Sequence, residues 1–255
     1  AFIEAVQKDP DTSELHFALG NLFRRRGEYE RAIRVHQHLL ARADLSGADH
    51  DRAQFELAMD FFKAGLLNLA ENALRKLERS AYATRAQLAL LSIYERSRDW
   101  ANAETSARAL EQGADAPDFS HRRAHHLCEQ ALAAQQSGHT AQARLLLQQA
   151  CATAPGAARP RIEHALLEKQ LGHTQAALEL LEQAMQHTPE ATPLFARHYA
   201  QLAQANGTAQ QASQKLQALQ ARTPSIDLVD ALVWLDAQDP AQPVDTSSSQ
   251  RYIDH

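Results

Sequence analysis

Cysteine, β-branched residues and an excess of charge of either sign are all scarce in this chain, and each shortage excludes something. Two cysteines in 255 residues, Cys128 and Cys151, cannot build a disulfide framework or a four-cysteine zinc site, and a reduced, cytosolic setting suits them. No run approaches the ~18 consecutive apolar residues of a membrane-spanning helix, and no basic stretch leading into an apolar one opens the chain. The chain is therefore expected to be soluble. With 26 basic and 31 acidic residues, a net charge of −5 and a pI near 6.2, it lacks the basic excess of a nucleic-acid binder. Alternating Val/Ile/Thr segments between Asn-Gly or Asp-Gly turns do not occur, so nothing reads as a strand. Catalytic signatures are missing as well. There is no phosphate-cradling Gly-rich loop, nucleophile elbow, His-Glu-x-x-His helix or EF-hand loop, and the chain reads as a non-enzyme.

What is present favours helix. Alanine, leucine and glutamine abound, and they lose little side-chain entropy in a helix; the 44% of hydrophobic residues suffices for a sizeable core. The sequence also repeats. The run from Gly27 to Ala32 returns in degenerate form from Gly65, Arg98, Gly138, Gly172 and Gly207, with starts 33 to 40 residues apart. Small residues recur on each first helix as Gly20, Ala58, Ala131, Ala165 and Ala200, Leu91 being the exception, and Pro155, Pro189 and Pro224 follow second helices. A period of ~34 residues belongs to tetratricopeptide (TPR) repeats, and the chain resembles a TPR array.

That resemblance implies an all-α fold, a right-handed solenoid of about six helical hairpins with a half repeat at each end. Helix pairs are expected over 13–44, 51–80, 84–116, 124–155, 158–190 and 193–224. Residues 1–9, ended by Pro10, read as the second helix of a further unit, and 225–238, with Leu228, Leu232 and Leu235 at helical spacing, as a capping helix. The array then covers 1–239, and 240–255, rich in Pro, Ser, Thr and Gln, is expected to be a flexible tail. The connections 44–50 and 113–123 are longer than the rest.

Two stretches are more specific: Leu19-Gly20-Asn21-Leu22-Phe23-Arg24-Arg25-Arg26-Gly27-Glu28 running on to Gln37, and His125-His126-Leu127-Cys128-Glu129-Gln130-Ala131-Leu132. Both are similar to the cytoplasmic repeat domain of the lipopolysaccharide assembly protein B (LapB/YciM) family. Members of that family add an N-terminal membrane anchor and a C-terminal rubredoxin-like module in which two Cys-x-x-Cys pairs hold zinc; neither stands in this sequence, so no cofactor is expected in this chain. The resemblance implies a scaffold on the cytoplasmic face of the bacterial inner membrane. Its implied partners are the membrane AAA+ protease FtsH and the deacetylase that commits carbon to lipid A, whose turnover it would regulate as an adaptor for proteolysis. The alternatives are a generic peptide-binding TPR module in envelope assembly, or a targeting domain for a catalytic module outside this sequence.

The resemblance to TPR proteins further implies that first helices line a concave, partner-binding face. Mapped onto these units, that face collects the cations Arg24, Arg25, Arg52, Lys63, Arg85, Arg96, Arg159, Lys169 and Arg197, against the carboxylates Glu14 and Glu95. Among them stand Asn21 and the apolar residues Phe17, Phe55, Met59, Phe62, Leu88, Ile162 and Leu166. Cations around apolar anchors suit protein partners with acidic segments, and charge reversal at Arg24, Arg25 or Arg52 is expected to weaken capture without changing stability. The carboxylate clamp for chaperone tails fits poorly, because Phe17 stands where Lys is needed and Glu56 where the next Asn is needed. His121 and His125 have metal-ligand spacing, but ordinary helix histidines explain them better, and both cysteines read as packing residues.

Overall fold

The computed structural model of the protein describes residues 13–112 and 117–238. The expectations for 1–9, Pro10 and the 240–255 tail lie outside the described residues. Every regular element among the described residues is helical, and the contacts form two compact units that part between Phe119 and Ser120.

The first unit holds three hairpins: α1 (Ser13–Arg25) with α2 (Tyr29–Leu40), α3 (Gly47–Lys63) with α4 (Leu67–Arg75), and α5 (Ala83–Ser97) with α6 (Trp100–Leu110). The second unit pairs α7 (Ser120–Gln136) with α8 (Thr140–Thr153), α9 (Ala158–Gln170) with α10 (Thr174–His187), and α11 (Ala196–Ala205) with α12 (Ala209–Arg222), and ends in α13 (Ile226–Gln238). Each unit is thus a stack of antiparallel hairpins, the all-α TPR solenoid arrangement.

The repeated sequence signature is a turn. Gly27, Gly65, Gly138, Gly172 and Gly207 all adopt left-handed backbone, with φ between 72° and 82°, and Arg98 takes the same place at φ 59°. In every one of these turns the next N–H reaches back five residues to a helix carbonyl, as from Glu28 to Phe23 at 2.9 Å and from Asp99 to Tyr94 at 2.8 Å. This is a Schellman closure, which satisfies carbonyls left open at the end of a helix. Glycine suits the position because it carries no Cβ to meet the following carbonyl.

Small residues bring the two helices of a hairpin together. Ala58, Ala131, Ala165 and Ala200 on first helices are buried, and so are Ala32, Ala70, Ala103, Ala143, Ala177 and Ala212 on second helices. Gly20 is the tightest case. A Cβ built there would fall 2.4 Å from the imidazole of His36 on α2, so only glycine admits that ring.

Two details depart from the expected bounds. α3 begins at Gly47 instead of near residue 51, because the Ser46 hydroxyl accepts the Asp49 N–H at 3.1 Å and caps the helix early. Pro189 and Pro193 put a 3₁₀ turn over Pro189–Leu194, which delays α11 and shortens it to ten residues. At the end of the second unit α13 lays Leu228, Leu232 and Leu235 against the core shared with α11 and α12.

Arg98 tests the turn. An L-residue in left-handed backbone costs about 1–2 kcal/mol, so Arg98→Gly should raise the unfolding free energy by about 1 kcal/mol in urea titration; an unchanged or lowered midpoint would show that the turn stores no strain.

Candidate protein-interaction face

The cations of the first helices turn first toward neighbouring hairpins. Arg24 on α1 donates to Asp60 Oδ1 at 2.9 Å, to the Glu56 carbonyl at 3.1 Å and to Glu56 Oε2 at 2.5 Å, all on α3, and to Asn21 Oδ1 beside it. Asp60 Oδ2 lies 2.5 Å from Nδ1 of His36, the same ring that rests on Gly20, and both side chains are fully buried. One network therefore ties α1, α2 and α3. Arg52 reaches from α3 to Glu14 on α1 at 2.5 Å and covers the Phe17 ring with its guanidinium 4.0 Å from the centroid.

The second unit repeats the device with other residues. Arg159 on α9 bridges Glu129 on α7 and Glu163 on its own helix, each at 2.6 Å, and also meets His125. Lys169 donates to Gln201 on α11 at 2.6 Å, and Arg197 on α11 pairs with Asp230 on α13 at 3.2 Å while stacking over Trp234. Arg144 on α8 grips the buried Glu168 of α9 at 2.6 and 3.0 Å, with His173 Nδ1 at 2.7 Å from the same carboxylate. Burial pushes the Glu168 carboxyl up, but the hydrogen bonds from Arg144 and His173 and the charges beside it outweigh that, and it titrates below its ordinary 4.5.

The expected site residues separate accordingly. Phe17 is a correction: it is 1% exposed and packs with Leu39 and Ala53, so it is core and not a contact for a partner. Arg24 is a correction of another kind. Its partner Asp60 is fully buried, so charge reversal at Arg24 would strike folding before it struck binding. Asn21, Arg52, Arg159, Lys169 and Arg197 are half-buried and already engaged. Arg25, Lys63, Arg85 and Arg96 are exposed and have no carboxylate partner among the described residues. Phe55, Met59 and Phe62 are half-buried on the α3 side that faces α5. Sequence reasoning missed the answering groups: Glu56, Asp60, His36, Glu129, Glu163, Glu168 and Asp230. The available signal was a charged residue at a helical core position, Asp60 three residues after Leu57 and His36 four after Ala32.

Burial pushes the Cys128 and Cys151 thiols up, which removes the thiolate a reactive cysteine needs. No metal-holding group of three His, Cys, Asp or Glu occurs among the described residues, and none of their helices is long and apolar enough to cross a membrane.

The tetratricopeptide-repeat family model matches residues 15–48, which span α1 and α2. Lipopolysaccharide assembly protein B of Escherichia coli (strain K12) is 34% identical over 163 residues, covering 63% of this chain and 41% of its own. The chain is similar to lipopolysaccharide assembly protein B. The protein of that name from Haemophilus influenzae (strain ATCC 51907 / DSM 11121 / KW20 / Rd) is 32% identical over 118 residues, covering 43% of this chain and 30% of its own. The chain spans about two fifths of the length of the Escherichia coli relative, 41%. Among solved structures, that of Naa15/Naa10 bound to HypK-THB superposes with a TM-score of 0.51 at 15% identity, covering 92% of this chain and 35% of that one; the likeness is one of fold. YrrB, a TPR protein with an unusual peptide-binding site, gives a TM-score of 0.43 at 17% identity, covering 74% of this chain and 93% of its own. Fold and relatives together mark a non-catalytic scaffold, whose surface does its work and which needs no cofactor.

Burial decides which ion pairs hold the fold. Asp60→Ala should cost about 3 kcal/mol, because it removes the buried carboxylate that Arg24 and His36 share, whereas Arg197→Ala, which breaks an exposed pair, should cost under about 1 kcal/mol; similar urea midpoints for the two variants would refute the distinction. Glu168 gives a pH test. A carboxyl whose folded pKa is depressed adds stability that is full above 4.5 and disappears as pH falls through the lower folded value. Glu168→Gln should therefore be less stable than the parent at neutral pH, and the gap should close as pH drops below 4.5; a constant gap would show that the ion pair adds nothing.

Proposed function

We propose that this chain is the partner-binding repeat region of a scaffold for lipopolysaccharide assembly, working on the cytoplasmic face of the bacterial inner membrane. In this reading it regulates lipid A synthesis as an adaptor for proteolysis, bringing the committed-step deacetylase to the membrane protease FtsH. The observation that carries it is the 34% identity to lipopolysaccharide assembly protein B over 163 residues, 63% of this chain. The architecture supports it too. Within each unit stacked hairpins expose successive helix faces, and such a surface binds proteins.

The first helices of each unit present a partner-binding face, with Asn21, Arg25, Arg52, Phe55, Met59, Phe62, Lys63, Arg85 and Arg96 as its proposed side chains in the first unit and Arg159, Lys169 and Arg197 in the second, and acidic segments as the proposed ligands. Membrane attachment and zinc would belong to regions outside this sequence.

The test uses the full-length protein in its own cells. Deleting the codons for 13–238 should lengthen the half-life of the deacetylase several-fold, and tagged full-length protein should co-purify with FtsH in mild detergent. An unchanged half-life together with no FtsH in the eluate would overturn the proposal. Recovery of other envelope proteins without FtsH would replace it with a general peptide-binding role.

A further inference from the structure

We propose that the facing sides of α3 and α5, in the first unit, form a docking strip for an extended acidic segment of a partner protein, with an apolar side chain between its carboxylates. The inference rests on reading the chain as a partner-binding scaffold and narrows that surface to one place.

The strip is defined by ring contacts on and between the two helices, of which Arg96 to Phe62 and Phe55 to Tyr82, the residue before α5, cross from one side to the other. At one end Lys63 of α3 and Arg96 of α5 each approach the same Phe62 ring to 5.9 Å. At the other, Phe55 of α3 lies against Tyr82 at 5.3 Å, and Arg85 stands 5.6 Å from that tyrosine ring. Half-buried Met59 lies between the two aromatic contacts along α3.

The charge pattern points to an acidic ligand. Lys63 and Arg96 converge on one ring with no carboxylate to separate them, and two like charges so placed repel each other until an anion enters. Acidic residues of the same two helices are committed: Glu56 to Arg24, Asp60 to Arg24 and His36, and Glu95 to an interaction of its own. In the second unit, by contrast, the first-helix cations Arg159 and Arg197 are already met by carboxylates. Lys63, Arg85 and Arg96 of the first unit have no carboxylate partner among the described residues and stand beside partly exposed aromatic rings.

Geometry sets the length of the ligand. Arg85 and Arg96 are eleven residues apart on one helix, about 16 Å at 1.5 Å per residue. An extended chain covers that span in about five residues, so carboxylates about five positions apart would reach both ends. The residues between them would lie over Phe55, Met59 and Phe62. A membrane surface is the weaker fit, because three cations fall short of the clusters of about four to eight that hold anionic lipid.

The probe is the labelled heptapeptide Asp-Glu-Leu-Phe-Leu-Asp-Glu, titrated with the whole chain by fluorescence anisotropy, beside its amide counterpart Asn-Gln-Leu-Phe-Leu-Asn-Gln and phosphatidylglycerol vesicles in a flotation assay. The acidic peptide should bind at least about tenfold more tightly than the amide peptide, and raised salt should erase the difference. Lys63→Glu with Arg96→Glu should weaken binding at least about tenfold, Lys63→Gln with Arg96→Gln by less, and Lys215→Glu in the second unit, where Lys215 pairs with Glu182 outside the proposed face, by under about twofold. Equal affinity for the two peptides overturns the proposal, whatever the variants do. So does a loss in Lys215→Glu as large as in the double variant, or recruitment to vesicles in preference to the peptide. Peptide binding at the strip without capture of FtsH would leave this inference standing and remove the assigned cellular role alone.

Discussion

Two helices of a hairpin approach so closely that a glycine or alanine stands at the first-helix crossing position in every hairpin but the third, where Leu91 takes the place, and the rest of the structure is built around that approach. At Gly20 the constraint is absolute, because a ring occupies the space a methyl group would need. That ring is His36, and its other edge is held by Asp60 of the next hairpin. A packing rule inside one hairpin therefore becomes the anchor point of a second. The same aspartate accepts from Arg24, so a single buried carboxylate couples three helices of the first unit. Buried polar networks of this kind are high in cost when broken, which is why Arg24 belongs to the fold although it stands beside cations that do not.

Cations on first helices consequently divide by what answers them. Arg52, Arg159 and Arg197 each meet a carboxylate 30 to 38 residues away, one repeat along. They set the offset between successive first helices within their own unit. Lys63, Arg85 and Arg96 have no such partner and rest on aromatic rings. A cation over an aromatic face keeps most of its hydration and charge, while the ring fixes its position. Rings hold these charges in place without neutralising them, which is the condition a docking surface needs.

Much of the fold was legible before any coordinates. The turn recurs with its glycine, and even Arg98 keeps the left-handed backbone of its five glycine counterparts, because the position is fixed by the Schellman hydrogen bond and not by the residue type. The small-residue positions and the leucines of α13 were equally readable, since helical spacing alone assigns them to a buried face. The start of α3 was missed because the Ser46 cap outranks the repeat period locally. Less of the face was legible. Counting only inward positions gave a strip of cations, but Glu56, Glu129 and Asp230 sit one helical step aside and long side chains cross that step easily. Periodicity assigns a Cα to a face; it does not say where a guanidinium six bonds away will end.

That limit also explains Phe17. Its position on the first helix is the one expected of a groove residue, yet Arg52 lies across its ring and Leu39 closes it from behind, so the aromatic is spent on the core. Phe62 has the same kind of neighbours, with a difference that decides its role. The Arg52 guanidinium reaches Glu14 as well as the ring it covers, and the pair seals Phe17. Lys63 and Arg96 have only the ring, so they stay out in solvent and leave Phe62 half-exposed between them. One carboxylate, present in the first case and missing in the second, turns the same aromatic-and-cation motif from an internal contact into a surface that still needs an acid.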